Sequence, residues 1–158
     1  MRAKLEETRR LTERTILEIR RIVAALRPAA LERTELRVAV RQLTRRFRKV
    51  YPGQIRLRLH PLPKLSEETE VVTYRVLQEC FQNIAKHSRA AHVNVFLGSS
   101  DKSLDLIVED DGVGFQAARR HNSRGLAGIK ERVQSLGGSL EVSSRPERGA
   151  RVSVNLPL

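Results

Sequence analysis

The stretch VEDDGVGF at residues 108–115 concentrates acids and glycines where a strand is predicted to end. Asp110 and Asp111 supply two carboxylates, and Gly112 and Gly114 permit backbone conformations and close approaches that a side chain would block. A turn accounts for DDG, but not for the second glycine or the long span before the next predicted helix, which is typical of binding loops. The spacing fits neither the GxGxxG dinucleotide fingerprint nor the GxxxxGK(S/T) phosphate loop. The stretch therefore predicts a binding loop of another kind.

A second set of polar side chains shares one face of a predicted helix. On a helical wheel, Glu79, Asn83 and Lys86 fall together, opposite the apolar side around Leu77 and Phe81. A carboxylate, a carboxamide and an ammonium are thus aligned along the helix. Taken alone, the pattern is typical of a solvated polar face.

A third motif, RGLAGIKERV at residues 124–133, places two glycines, Gly125 and Gly128, where a helix is predicted to begin. Arg124 and Lys130 add positive charge on either side of them. The free N–H groups and the positive dipole end of a helix start bind anions. Together with the acid loop and the polar helix face, the motif predicts a nucleotide whose base meets a carboxylate and whose phosphates meet a helix start.

The elements that position these motifs follow from periodicity. Strand alternation occurs in QIRLRLH, HVNVFL, SLDLIVE, SLEVSS and RVSVNLPL. Helical spacing covers residues 66–90, with Ser66 as the predicted N-cap, and residues 126–136. We therefore predict an α+β fold: a two-layer sandwich of a mixed, mostly antiparallel sheet with helices on one face, preceded by a long N-terminal helix.

That N-terminal helix has a seam from Leu5 to Leu26 and ends before Pro28, which cannot continue it. The seam suits an amphipathic helix packed on its own domain or a partner helix in a bundle, and both interpretations remain open. A second helix is predicted over residues 32–48, before the YPG turn at residues 51–53.

Composition bounds the class of protein. The 158 residues carry a net charge of +12, and all of the excess lies in residues 1–65, with 18 Lys and Arg against 6 Asp and Glu. A basic surface can meet nucleic acid, an anionic membrane or an acidic protein. Aromatic residues make up only 4% of the chain, so we expect no nucleic-acid partner. The single cysteine, Cys80, excludes an internal disulfide, and because it lies among apolar residues in a helical pattern we predict a buried structural thiol. No apolar run approaches the ~20 residues that span a bilayer, so we expect a cytoplasmic segment without membrane contact.

The motifs resemble those of a known family. ECFQNIAKH resembles the N box, DDGVGF the first glycine box and GLAGIKERV the second glycine box of the ATP-binding domain of sensor histidine kinases, a fold shared with DNA gyrase and MutL-type proteins. YRVLQECFQNIAKHS, GLAGIKERVQSLGG, the ending VSVNLPL and the segment IRRIVAALRPAALERTELRVAVRQL are similar to the subgroup that works with NarL-type response regulators. The resemblance covers nearly the whole chain.

At the base end of the site, the resemblance implies that Asp110 accepts a hydrogen bond from the adenine amino group. It implies that Gly112 and Gly114 let the loop approach base and ribose. The family commonly has Thr after the last glycine of this region, where a hydroxyl supports the adenine contact, but here Gly149 is followed by Ala150.

At the phosphate end, the resemblance implies ATP and Mg²⁺ as cofactors. Asn83 would bind Mg²⁺ through its side-chain oxygen, and Glu79 would polarise the phospho-accepting imidazole. The residues implied to contact phosphate or sugar, or to frame the lid, are Lys86, His87, Gly125, Leu126 and Gly128.

The function implied is an ATP-binding catalytic domain that transfers the γ-phosphoryl group to a histidine absent from this chain, since none of the four histidines lies in the expected box. Residues 1–27 would be the C-terminal part of a dimerisation helix and residues 28–158 the ATPase domain, with a homodimer and a NarL-type response regulator as partners. A serine kinase of the anti-sigma type and a degenerate ATPase-fold binding module remain alternatives.

Overall fold

The structure, a computed structural model, describes two long stretches and two single helical positions: residues 27–115 and 124–158, with Glu7 and Thr12. The chain divides into two compact units, Met1–Arg33 and Thr34–Leu158. Of the predicted helix over residues 1–27 only Glu7, Thr12 and Arg27 are described, and most of the predicted loop, residues 116–123, lies outside the described residues. No helix in the described stretches has the length and apolar character needed to cross a membrane.

The helix predicted over residues 32–48 begins later, at Leu36, and a separate short helix precedes it. A short helix α1 (Ala29–Glu32) follows Pro28 in the first unit, and α2 (Leu36–Val50) lies in the second unit. Glu35 is extended, with φ −62° and ψ 154°, so helical geometry cannot run through it. Its carbonyl accepts a hydrogen bond from the Ala39 N–H (3.0 Å), which starts α2 as a new helix.

Five strands form one sheet within the described residues: β1 (Gln54–Leu59), β2 (His92–Ser99), β3 (Ser103–Asp110), β4 (Ser139–Ser144) and β5 (Ala150–Pro157). Their order is β1-β2-β3-β5-β4. The β1–β2 pair is parallel and the other three pairs are antiparallel. The predicted mixed, mostly antiparallel sheet is confirmed, and each predicted strand is present.

Two further helices pack with α2 against the sheet. α3 (Glu67–Asn83) connects β1 to β2 and contacts α2 and β3, and α4 (Arg124–Ser135) contacts α3 and β4. The core is the alternating inward face of the strands, such as Val93, Val95 and Leu97, against the apolar face of α3. The two-layer α+β sandwich is thus confirmed.

Both ends of α3 shape the site. Ser66 caps the N-terminus, because its Oγ accepts a hydrogen bond from the Thr69 N–H (3.2 Å), as predicted. The helix was predicted to run on to about residue 90, but α-helical geometry ends at Asn83 and a π-helix, Ile84–Ser88, follows. Arg89 then adopts a left-handed conformation with φ 52°. Because a π-helix widens the turn, Lys86 does not continue the helical wheel of α3.

Candidate nucleotide-binding site

A cavity of about 370 Å³ opens where the end of α3 and the π-helix face the ends of β3, β4 and β5. Its floor is apolar and its rim carries charged and amide side chains. The lining residues are Cys80, Asn83, Ile84, Lys86, His87, Ser88, Arg89, Val108, Asp110, Val113, Gly114, Phe115, Val142, Ala150 and Val152. This size and this mixture of lining are typical of small-molecule sites.

Asp110 is the carboxylate that the cavity encloses. It is the last residue of β3, is partly buried, and its Oδ1 accepts a hydrogen bond from the Gly112 N–H (3.0 Å). Burial raises the pKa of Asp110 above its usual value, and the negative charge of Asp111 adds to the increase, while the hydrogen bond from Gly112 acts against it. The predicted base-reading acid therefore lies at the cavity wall, with one oxygen held by the protein's own backbone.

The loop after Asp110 packs between two other backbone segments, one at Ser88 and one at Gly149. The Val113 N–H donates to the Ser88 carbonyl (2.8 Å), and the Gly149 N–H donates to the Gly112 carbonyl (2.9 Å). A Cβ on Gly112 would overlap the Ser88 carbonyl oxygen. Gly114, with φ 57°, adopts a left-handed conformation that favours glycine. Gly112 and Gly114 therefore let the loop pack closely against the rest of the protein. From the sequence, these glycines were expected to let the loop approach a ligand, and this packing role was not predicted.

Asp111 has a different role from its neighbour. Its Oδ1 accepts a hydrogen bond from the His92 backbone N–H (2.8 Å), and its Oδ2 lies 2.7 Å from His92 Nδ1. The backbone hydrogen bond is the main cause that lowers the pKa of Asp111, and the bond to the imidazole adds to it. This pair joins the end of β3 to the start of β2. The role of His92 was not predicted, because its position in the sequence fits no motif.

On the helical side of the cavity, Asn83 and Glu79 lie one helical turn apart. Asn83 Nδ2 donates to Glu79 Oε1 (3.3 Å), which turns the carboxamide oxygen away from that carboxylate. Asn83 lines the cavity together with the exposed Lys86 and His87, whereas Glu79 is not among the lining residues. The structure therefore brings together the predicted amide, ammonium and imidazole, and places the predicted acid beside the amide.

The second glycine motif forms the first turns of α4. Gly125 and Leu126 lie in its first turn, and Gly128 follows and is exposed. No described atom lies within 4 Å of a Cβ built on Gly128. Gly128 is not among the described residues that line the cavity.

Ala150 is in register with Asp110 on one side and with Ser144 on the other, so the three residues form a row across β3, β5 and β4. Ser144 Oγ accepts a hydrogen bond from the Phe115 N–H (2.9 Å) and donates to the Gly149 carbonyl (2.6 Å). A hydroxyl thus lies beside position 150 although Ala150 has none. It ties the start of the long loop to the β4–β5 turn, and no sequence motif predicted it.

Cys80 lines the cavity as an unreactive side chain. It is buried, and desolvation raises the pKa of its thiol to about 12, with further increases from the charges of Glu79 and Asp110. A thiol with this pKa stays protonated at neutral pH, so it packs as an apolar group. The prediction of a buried structural thiol is confirmed.

The arrangement suits a planar base with an exocyclic amino group. Valines from three strands provide a flat apolar surface, and one partly buried carboxylate lies at its edge. An amide, an ammonium and an imidazole line the helical side of the cavity, where they would meet a negatively charged tail. An α+β sandwich with this pocket belongs to the class of nucleotide-binding ATPase domains.

A comparison with protein families gives the same class. The model of the histidine kinase-, DNA gyrase B-, and HSP90-like ATPase family matches residues 68–158, more than half of the chain. The chain therefore belongs to this family, and the prediction of an ATP-binding domain of the histidine kinase type is confirmed.

Individual relatives extend the similarity over almost the whole chain. An uncharacterized sensor-like histidine kinase of Chloroflexus aurantiacus is 33% identical over 99% of this chain and 28% of the relative. The signal transduction histidine-protein kinase/phosphatase UhpB of Salmonella typhimurium is 37% identical over 88% of this chain and 28% of the relative. The chain thus spans less than a third of the length of these two relatives.

Among solved structures, the histidine kinase domain from the Erythrobacter litoralis EL346 blue-light activated histidine kinase has a TM-score of 0.66 and 20% identity. The alignment covers 78% of this chain and 65% of that chain. It supports the fold described above.

Proposed function

We propose that the chain binds Mg-ATP and transfers the γ-phosphoryl group to a histidine that lies outside it. The observation that carries the proposal is the position of Asp110, a partly buried carboxylate on the wall of a 370 Å³ cavity whose other end is lined by Asn83. Phosphoryl transfer depends mainly on positioning and on neutralising charge, and this pocket offers groups for both.

At the base end, Asp110 accepts a hydrogen bond from the adenine amino group through the oxygen that Gly112 does not occupy. Val108, Val142 and Val152 form the apolar surface against which the base lies. Ala150 offers no hydroxyl beside the carboxylate, so the adenine contact depends on Asp110 and on water.

At the phosphate end, Asn83 holds the metal and Lys86 and His87 face phosphate or sugar. The described residues fit Mg²⁺, because a carboxamide oxygen turned away from Glu79 is the hard oxygen ligand that this ion prefers. When bound, Mg²⁺ neutralises phosphate charge. Glu79 holds the Asn83 carboxamide in place and polarises the imidazole that receives the phosphoryl group.

The start of α4 completes the phosphate end. We propose that Gly125, Leu126 and Gly128 frame the lid and present backbone N–H groups to the phosphates, as a helix N-terminus does for anions. The exposure of Gly128, with open space where its Cβ would be, supports this role.

The remainder of the full protein follows from the same resemblance. We propose that residues 1–27 are the C-terminal part of a dimerisation helix, that the protein acts as a cytoplasmic homodimer, and that its partner is a NarL-type response regulator. Similarity to sensor histidine kinases over 99% of the chain supports the assignment of the segment before the ATPase domain.

A thermal-shift titration with ATP and Mg²⁺ tests the proposal. A ligand that binds only the folded state stabilises it by about 2.7 kcal/mol at a hundred times its Kd, so saturating Mg-ATP should raise the Tm clearly. Asn83→Ala should lose the magnesium dependence of that shift first, and the adjacent exposed Gln82→Ala is the matched control. No stabilisation at millimolar Mg-ATP would instead identify a degenerate binding module.

A further inference from the structure

Tyr51 closes a ring of hydrogen bonds outside the cavity. It lies just after α2, is buried, and its hydroxyl donates to the Ala90 carbonyl (2.8 Å). Its single proton is thereby used, so the Ser88 hydroxyl donates to Tyr51 Oη across 3.3 Å. Ser88 Oγ in turn accepts from the Ala90 N–H (3.2 Å). Each group in the ring donates once and accepts once, and such closed networks are stiff.

The Tyr51 ring is held from both sides. It stacks on Phe47 at 4.9 Å between centroids, and Phe47 stacks on Phe81 of α3 at 4.3 Å. On the other side Gly53 lies so close that a Cβ there would come within 2.7 Å of both Tyr51 Cε1 and the Ala90 carbonyl oxygen. These contacts fix the position of the Tyr51 hydroxyl.

Ser88 connects this ring to the nucleotide site. Its side chain bonds Tyr51, while its backbone carbonyl accepts the Val113 N–H (2.8 Å) and lies against the face of Gly112 that a Cβ would occupy. Arg89, the next residue, has φ 52°, a conformation that is unfavourable for a non-glycine residue and persists only where its neighbours fix it.

We propose that Tyr51 is a positioning residue for nucleotide binding, acting through Ser88 on the backbone of residues 112–113. The inference rests on the proposed function, because that backbone holds the Asp110 carboxylate through the Gly112 N–H. Tyr51 itself does not line the cavity. The C-terminal end of α2 is therefore energetically coupled to the base end of the site, and by reciprocity a bound nucleotide stiffens that end of α2.

Tyr51→Phe in the full chain tests the coupling, with Tyr74→Phe as matched control. Tyr74 is equally buried, and its hydroxyl contacts Arg46 Nη2 at 3.5 Å rather than the loop. Both variants lose one hydroxyl, so both should lose some Tm. Only Tyr51→Phe should weaken ATP affinity, by about three- to tenfold, which is the range that one buried hydrogen bond contributes.

Amide exchange gives a second measurement that needs no ligand. The Val113 N–H should exchange faster in Tyr51→Phe and stay unchanged in Tyr74→Phe. If wild-type protein fails to bind ATP, the proposed function fails while this exchange measurement still decides the coupling. Equal ATP affinity of the two variants, together with unchanged Val113 exchange, overturns the inference.

If Tyr51→Phe does not fold, Ser88→Ala removes the other side-chain hydroxyl of the same ring of hydrogen bonds. It should weaken ATP binding and speed exchange of the Val113 N–H in the same direction, although the Ser88 carbonyl remains. If Ser88→Ala leaves both quantities at wild-type values, the ring does not position the loop.

Discussion

The glycines at the two ends of the proposed nucleotide site meet very different surroundings. At the base end, a Cβ on Gly112 would overlap Ser88 and one on Gly149 would overlap the Asp110 carbonyl. On α4, a Cβ on Gly128 would meet no described atom. Glycine in an exposed helix interior costs about 1 kcal/mol relative to alanine, so Gly128 is unfavourable unless something outside the chain needs it.

The difference separates two uses of the same residue type. Glycines at the base end are required by the protein's own packing, whether or not a nucleotide is bound. The glycine on α4 has no described atom near its Cβ position, so packing among the described residues does not require it. Folding and binding are therefore expected to respond separately to substitutions at the two ends.

The largest effect should come from Gly149→Ala. The new Cβ would overlap the Asp110 carbonyl, and φ at this position is 68°, so we expect a loss of about 3–5 kcal/mol in the free energy of unfolding. Gly137→Ala is the matched control, because φ is 73° there but the nearest atom, Pro157 Cγ, is 3.5 Å away. It should lose only about 1–2 kcal/mol in urea denaturation. Equal losses would mean that conformation, and not packing, explains the base-end glycines.

Asp110→Asn should give the next largest effect, on binding. The substitution keeps the shape but removes the charged acceptor, so ATP affinity should fall about ten- to a hundredfold, measured by calorimetry. Asp111→Asn, one residue on, should leave the affinity close to wild type, because Asp111 faces His92. If both variants bind ATP like the parent, the adenine assignment is wrong.

The pH dependence of Asp110 has a defined sign. Its pKa is raised in the folded state, so the folded protein holds the proton more tightly than the unfolded chain. Stability from this group is thus fully present below the unfolded pKa and is lost as pH rises through the folded value. At neutral pH the ligand-free Asp110→Asn variant should therefore be at least as stable as wild type, although it binds ATP poorly.

Gly128→Ala should give a smaller effect of opposite sign on stability. With no described atom in the way, the methyl group should raise the free energy of unfolding by about 1 kcal/mol through helix propensity. ATP affinity should fall at the same time. A variant that is more stable and binds ATP normally would show that Gly128 is not reserved for the ligand.

The smallest effect should come from His92→Ala. It removes the imidazole but keeps the backbone N–H that is the main cause of the low Asp111 pKa. The pair is exposed, so the stability change should stay below about 1 kcal/mol. The Asp111 carboxyl, followed by NMR, should still titrate below its usual range, because the backbone hydrogen bond from residue 92 remains. The stability that this lowered pKa contributes is lost as pH falls through the folded value.

Much of the fold was predictable because its signals are local. Apolar and polar residues alternate along each strand, and the Ser66 cap lies directly before an acidic first turn. These local signals were enough to predict one layer of strands and one layer of helices. The break at Glu35 and the π-helix from Ile84 were not predicted, since both are set by backbone geometry in residues that have ordinary helical spacing.

The site was predictable where a residue type carries the chemistry. Asp110, Asn83 and Lys86 were singled out from their residue types and positions, and His87 from the family resemblance, and all four line the cavity. Tyr51, which reaches the loop through Ser88, could not be found this way, because its contacts join positions 37 and 39 residues apart. Such contacts depend on how the layers pack, which no short motif encodes.

The strand order has a consequence for how the pocket assembles. β4 and β5 form a hairpin, whose pairing is local, whereas β1 pairs with β2 across the whole of α3, a non-local contact that we expect to form more slowly. Asp110 lies on β3, which joins β2 to β5. The described cavity lining includes residues of β3, β4 and β5 but none of β1. A bound nucleotide should therefore slow amide exchange most in β3, β4 and β5, and should slow exchange in β1 only where that exchange requires global unfolding.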